Sequence, residues 1–188
     1  MKRNPLRMSA LTIALSLTVS FSLPGNAGDD HASRVRIGLD IAPVPLDLRG
    51  RNRALVGLGS YFVNGIGDCN GCHTALPIYL PGGDPFAGEP EQIDPNSYLM
   101  GGAPFFGPFV PRNLRPDPVT GLPAGYIFEE FLLVFRTGVD LKELPPHVPG
   151  PGPDNDLLQV MPWPNFANLS ERDILAIYEY LSALPPAP

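Results

Sequence analysis

Apolar residues recur with a helical period in three stretches of this chain. The clearest is the last, where Ile174, Ile177, Tyr178 and Leu181 fall at i, i+3, i+4 and i+7 and share one face. Ser170-Glu171-Arg172-Asp173 ahead of them is a helix start, with a hydroxyl able to cap an orphan amide and an acid three positions on. Leu184-Pro185-Pro186 ends the run. A second helix is predicted from about Ile127 to Thr137, with Phe128, Phe131, Leu132 and Phe135 on one side, Glu129 and Glu130 in the first turn and Gly138 as its stop. A third occupies roughly Asn52 to Asn64; Gly57 and Gly59 weaken it in isolation but let another helix approach closely. Nothing between these segments alternates with period two for long, so no sheet of consequence is expected.

A fourth apolar stretch is of another kind. Lys2, Arg3 and Arg7 precede an uncharged run from Met8 to Leu23, and Pro24-Gly25-Asn26-Ala27 follows. Basic start, short apolar middle and small-residue end describe a secretory signal peptide spanning residues 1–27. The run is about 16 residues, short of the ~20 a spanning helix needs. Its removal would take three positive charges and no acid from a chain of net charge −6, leaving −9. Residues 28–51 are then read as an N-terminal arm carrying Arg34, Arg36, Arg49 and Arg51, and residues 52–188 as the folded domain. From Ala54 onward 15 acids face 5 bases, which excludes a general nucleic-acid binder and favours partners with basic docking patches.

Composition adds a puzzle. The 188 residues include 25 Pro and 20 Gly, yet 44% are hydrophobic, too many for a disordered chain. Thr74 to Pro123 and Val139 to Leu169 are long, Gly- and Pro-rich connections. Loops of such length are unusual in a compact domain unless something other than protein organises them.

Five consecutive residues supply a candidate. Cys69-Asn70-Gly71-Cys72-His73 uses both cysteines of the chain and one of its three histidines. Cys-x-x-Cys-His is the haem attachment pentad, in which the thiols take the two vinyl groups and the adjacent imidazole lies under the iron. Other readings fit less well. A thioredoxin-type dithiol follows a strand, whereas this pentad follows a helix through Gly65-Ile66-Gly67. A zinc site needs four ligands, and His31 and His147 lie in poorly placed segments. A disulfide this short would stabilise little.

For the sixth position on the iron the residues leave a choice. Met161 lies in Val160-Met161-Pro162-Trp163-Pro164, a loop stiffened by proline. Its thioether is a soft donor that favours ferrous iron. Met100 is a rival, His147 would make a bis-histidine haem, and an open position would admit small ligands. Pro77 and Pro81 are the nearby carbonyls for the proximal imidazole proton. Arg112 and Arg136 are read as solvated, with a haem propionate as the alternative partner.

The combined order of motifs resembles the class I cytochrome c family, and is most similar to the single-haem domains of cytochrome subunits of periplasmic alcohol and aldehyde dehydrogenases. The resemblance rests on Gly65-Ile66-Gly67-Asp68-Cys69 through Thr74, Asn113-Leu114-Arg115-Pro116-Asp117 through Gly121, Arg136-Thr137-Gly138, Met161-Pro162, and Leu169-Ser170 through Leu181. It covers about residues 52–185; Arg115 stands where the family usually has Thr, and Gly82 to Tyr98 is hard to align. It implies an all-α fold of three to five helices whose loops wrap one covalent haem c. Cys69 and Cys72 would form the thioethers, His73 would be the proximal ligand and Met161 the distal one.

The expected function is therefore that of an exported, periplasmic mono-haem cytochrome that passes single electrons between redox protein partners, as a free carrier or a subunit of a larger complex. It is expected not to be an enzyme. A haem enzyme or gas sensor with an open sixth position is the alternative, for which His147 is the only evident acid–base group.

Overall fold

The computed structural model describes residues 27–102, 109–140, 142 and 157–187. Residues 1–26, which hold most of the expected signal peptide, and His147 lie outside the described residues. Six helices follow one another among those described: α1 (Ala27–Asp40), α2 (Arg53–Ser60), α3 (Cys69–His73), α4 (Phe128–Thr137), α5 (Trp163–Phe166) and α6 (Glu171–Ser182). No strand forms among them, and the extended segments meet only at the isolated bridges Tyr79–Ile93, Pro116–Pro123 and Val139–Leu157. The architecture is all-α. Six helices exceed the expected three to five because α1 and the four-residue α5 carry too little apolar periodicity to be read.

The frame is a crossing of α2 with α6. Asn52 starts α2 by accepting the Ala54 and Leu55 amides on its side-chain oxygen. Ser170 starts α6 in the same way at the Asp173 amide, as the sequence predicts. Ile174, Ile177, Tyr180 and Leu181 of α6 are buried in one cluster with Val56 of α2. Gly59 is what permits the approach: a Cβ there would overlap the Ala176 carbonyl and lie 2.7 Å from Tyr180 Cβ. Because the obstacle is helix backbone, it cannot swing aside. Gly59→Ala is expected to cost about 3 kcal/mol, read as a lowered thermal midpoint.

A second glycine crossing holds α1. Gly38 lies against the Gly57 carbonyl, and a Cβ on Gly57 would come 2.5 Å from the Val35 carbonyl and 2.8 Å from Val35 Cγ1. The stretch read as an arm thus opens with a packed helix. The Arg34–Asp30 pair, 2.6 Å apart on one face of α1, is exposed and contributes little. Beyond α1 the chain stays attached, with the Asp47 amide donating to the Ala183 carbonyl at 2.8 Å and Val44 buried.

After Ser60 the helix widens into a π-helical turn, Tyr61–Ile66. Its Asn64 joins a buried polar cluster, donating to Ser60 Oγ (3.0 Å) and Tyr180 Oη (3.1 Å) and accepting from Tyr98 Oη (2.6 Å). Tyr98 and Tyr180 are themselves 2.7 Å apart. Three distant segments are tied together where the chain turns into α3. α4 spans Phe128–Thr137 and ends, as expected, on Gly138 in the left-handed conformation (φ 72°). Trp163 of α5 packs over the Gly138 Cα, leaving no room for a Cβ.

Candidate haem-binding site

The chain leaves the π-helical turn through Gly67, whose amide donates to the Phe62 carbonyl at 2.7 Å. Asp68 then takes a left-handed conformation (φ 46°) and α3 begins. Its single turn holds the pentad. Gly71 lies at its centre, where a Cβ would stand 2.7 Å from Asp68 Oδ2 and would move that carboxylate aside. Cys69 and Cys72 are both free thiols. Burial, then the Asp68 carboxylate and the other thiol, pushes Cys69 up to about 12. Cys72 is raised by burial and Asp68 in the same direction. Both shifts favour the protonated thiols in the unliganded chain. Among the described residues no three His, Cys, Asp or Glu gather as a metal site needs.

His73 closes the turn. Its Nδ1 lies 2.7 Å from the Arg112 carbonyl. A carbonyl only accepts, so Nδ1 carries the proton and Nε2 keeps its lone pair. Burial lowers the His73 pKa, partly opposed by that carbonyl, so the neutral imidazole is favoured. One nitrogen is fixed by the protein and the other is left with an in-plane lone pair, which is the state a histidine ligand adopts. The acceptor is neither Pro77 nor Pro81: a carbonyl 39 residues further along the chain is beyond what local spacing can indicate.

The same region fixes the segment after the pentad. The His73 carbonyl accepts the Gly101 amide (2.6 Å), and buried Thr74 accepts the Leu99 amide on Oγ1 (3.1 Å). Gly82 to Tyr98 forms a tied excursion, with Leu80 N–H to Gln92 O and Gln92 N–H to Gly83 O both at 2.9 Å. Arg115 holds its end. Only 5% exposed, it donates from Nε to the Tyr98 carbonyl (2.8 Å) and from Nη2 to that of Pro95 (2.6 Å). The departure from Thr at this position is thus a buried strap, which spacing did not reveal.

The arginines read as solvated are internal. Arg136 donates to the carbonyls of Ala167 and Leu169, joining α4 to the loop before α6. Arg112 pairs with Asp140 at 2.7 Å and lies over the Tyr126 ring, 4.8 Å from its centre. Met161 is half-buried against the core, as are Cys69, Leu114, Phe128 and Leu158, and its carbonyl accepts the Trp163 amide at 2.8 Å. Met100 is half-buried in the turn before Gly101. His31 lies on α1, and His147 lies outside the described residues.

The donor set fits a covalently held haem. It comprises two free thiols one helical turn apart and a neutral imidazole oriented through Nδ1.

No protein-family model matches the chain. It is 30% identical over 129 residues to the gluconate 2-dehydrogenase cytochrome c subunit of Pantoea cypripedii, a match covering 69% of this chain and 23% of that protein. It is 33% identical over 129 residues to the cytochrome c subunit of the quinone alcohol dehydrogenase of Gluconobacter oxydans, covering 69% of this chain and 21% of that one. Its identity with the corresponding subunit of Komagataeibacter europaeus is 32% over 127 residues, 68% and 21% of the two chains. The match thus spans less than a quarter of the length of these relatives. Through these matches the chain is identified as a homologue of the cytochrome c subunits of dehydrogenases.

Proposed function

We propose that this chain is an exported, mono-haem c-type cytochrome that passes single electrons between redox proteins. The observation that supports it best is His73, held by the Arg112 carbonyl through Nδ1 beside two free thiols in one turn. Cys69 and Cys72 would hold the haem through thioethers, each thiol adding its sulfur and its proton across one vinyl group, which would need no oxidant. Once bound, haem supplies a one-electron Fe(III)/Fe(II) couple. The protein's part would be to orient His73, to offer the Met161 thioether from its clamped loop as the second donor, and to keep water away with apolar residues such as Leu114, Phe128 and Leu158. No acid–base group beyond the ligands is required. The relatives' names, cytochrome c subunits of dehydrogenases, support a role beside a dehydrogenase; the signal-peptide pattern of residues 1–27 supports export to the periplasm. The acidic body suits partners with basic patches.

The test is a reductive titration of the haem-loaded protein. One haem and one electron per chain, in a single one-electron wave, are expected. Two waves, or turnover of peroxide by the protein alone, would favour the open-site reading.

A further inference from the structure

We infer that Asp140 is a positioning residue for the proximal ligand: by clamping the Arg112 side chain, it fixes the carbonyl that holds the His73 imidazole. The inference rests on the haem reading above. The carbonyl in question lies in an irregular stretch whose nearest backbone ties are Gly102 N–H to Pro111 O (3.2 Å) and Leu114 N–H to Leu99 O (2.8 Å). No helix or strand orients it. The side chain of the same residue is held firmly instead. Arg112 Nη2 lies 2.9 and 2.7 Å from the two oxygens of Asp140 and 2.6 Å from the Lys142 carbonyl.

Asp140 is built into its place. It accepts from the hydroxyl of buried Tyr126 and from the Lys142 amide at 2.9 Å, and the side chains of the Arg112–Asp140 pair are only 16% and 17% exposed. The need for a carboxylate follows from what surrounds it. Two cations face the Tyr126 ring, Arg112 at 4.8 Å and Lys142 at 4.9 Å from its centre. Asp140 balances the first, and Glu130, 3.0 Å from Lys142 Nζ, balances the second. Without the Asp140 charge the guanidinium is repelled by its neighbour and loses the carboxylate whose two oxygens both face its Nη2. The Arg112 backbone then loses its anchor, and the Nδ1–H bond loosens.

Both consequences move the iron the same way. A looser Nδ1–H bond makes His73 a weaker donor, and loss of a nearby negative charge disfavours the ferric state. Asp140→Asn, made in the haem-loaded protein, is expected to raise the reduction potential. It is also expected to speed solvent exchange of the His73 Nδ1 proton, seen by nitrogen-15 NMR, by about tenfold. Tyr126→Phe keeps the ring, removes one donor to Asp140 and is expected to give a smaller shift in the same direction; it decides the matter if the Asp140 variant does not accumulate. A lowered melting temperature with unchanged potential and unchanged exchange would make Asp140 merely structural and overturn the inference. A wild-type protein without covalent haem would overturn the functional reading itself, which separates the two failures.

Discussion

Replacing Cys69 and Cys72 together with alanine is expected to leave a chain with no covalently attached haem. These are the only cysteines in the chain, so no other thiol can substitute. The two thiols are held in one short turn whose geometry depends on Gly67 and left-handed Asp68, and both lack a disulfide partner in the fold. The measurement is haem retention after denaturation and organic extraction, where wild-type protein keeps its colour and the double variant loses all of it. Either single variant retains one sulfur and is expected to hold haem through a single thioether. The loss extends to stability. Cys69, Ile78, Leu114, Phe128 and Met161 are partly buried residues packed against the core, and loss of an apolar group covering them would expose that surface to water. A double variant that still carries haem through extraction would contradict the account.

The second large effect is expected at Met161. Its loop is rigid for identifiable reasons: Pro162 follows it, the Trp163 amide returns to its carbonyl at 2.8 Å, and the Trp163 indole is pressed onto Gly138. A thioether presented by such a loop is a soft donor that stabilises ferrous iron. Met161→Ala is expected to lower the reduction potential by on the order of 0.1 V or more, within the roughly 0.8 V range that axial ligands span. It is also expected to open the ferrous iron to carbon monoxide, to which the wild type is inert. Redox titration and carbon monoxide difference spectra check both. An unchanged potential in Met161→Ala, with a shift in Met100→Ala or His147→Ala, would move the distal ligand to that residue.

The parts of this molecule written in local sequence were legible before its coordinates. α4 and α6 bury one apolar face each and carry their own stop and start signals, Gly138 and Ser170. Gly57 and Gly59 indicated a close helix approach, and both sit at one. The pentad stands out in the sequence because the chemistry proposed for it needs five contiguous residues. What stayed hidden depends on contacts across long separations. α1 pairs with α2 through Gly38 and Gly57, and without that crossing its residues look like a charged arm. The Arg112 carbonyl reaches His73 across 39 residues, and no side-chain pattern marks a backbone acceptor. Arg112 and Arg136 look like surface residues in sequence, and Arg115 shows only as a departure from Thr. Each is instead a strap whose hydrogen-bonding groups replace the secondary structure that the Gly- and Pro-rich loops lack.

The central claim is a haem held by His73 and Met161, and the optical spectrum of the oxidised protein tests it most directly. The weak sulfur-to-iron charge-transfer band at the red end is expected in the wild type and absent in Met161→Ala. A low-spin wild-type spectrum without that band would contradict methionine ligation, and a high-spin one would contradict the electron-carrier reading altogether.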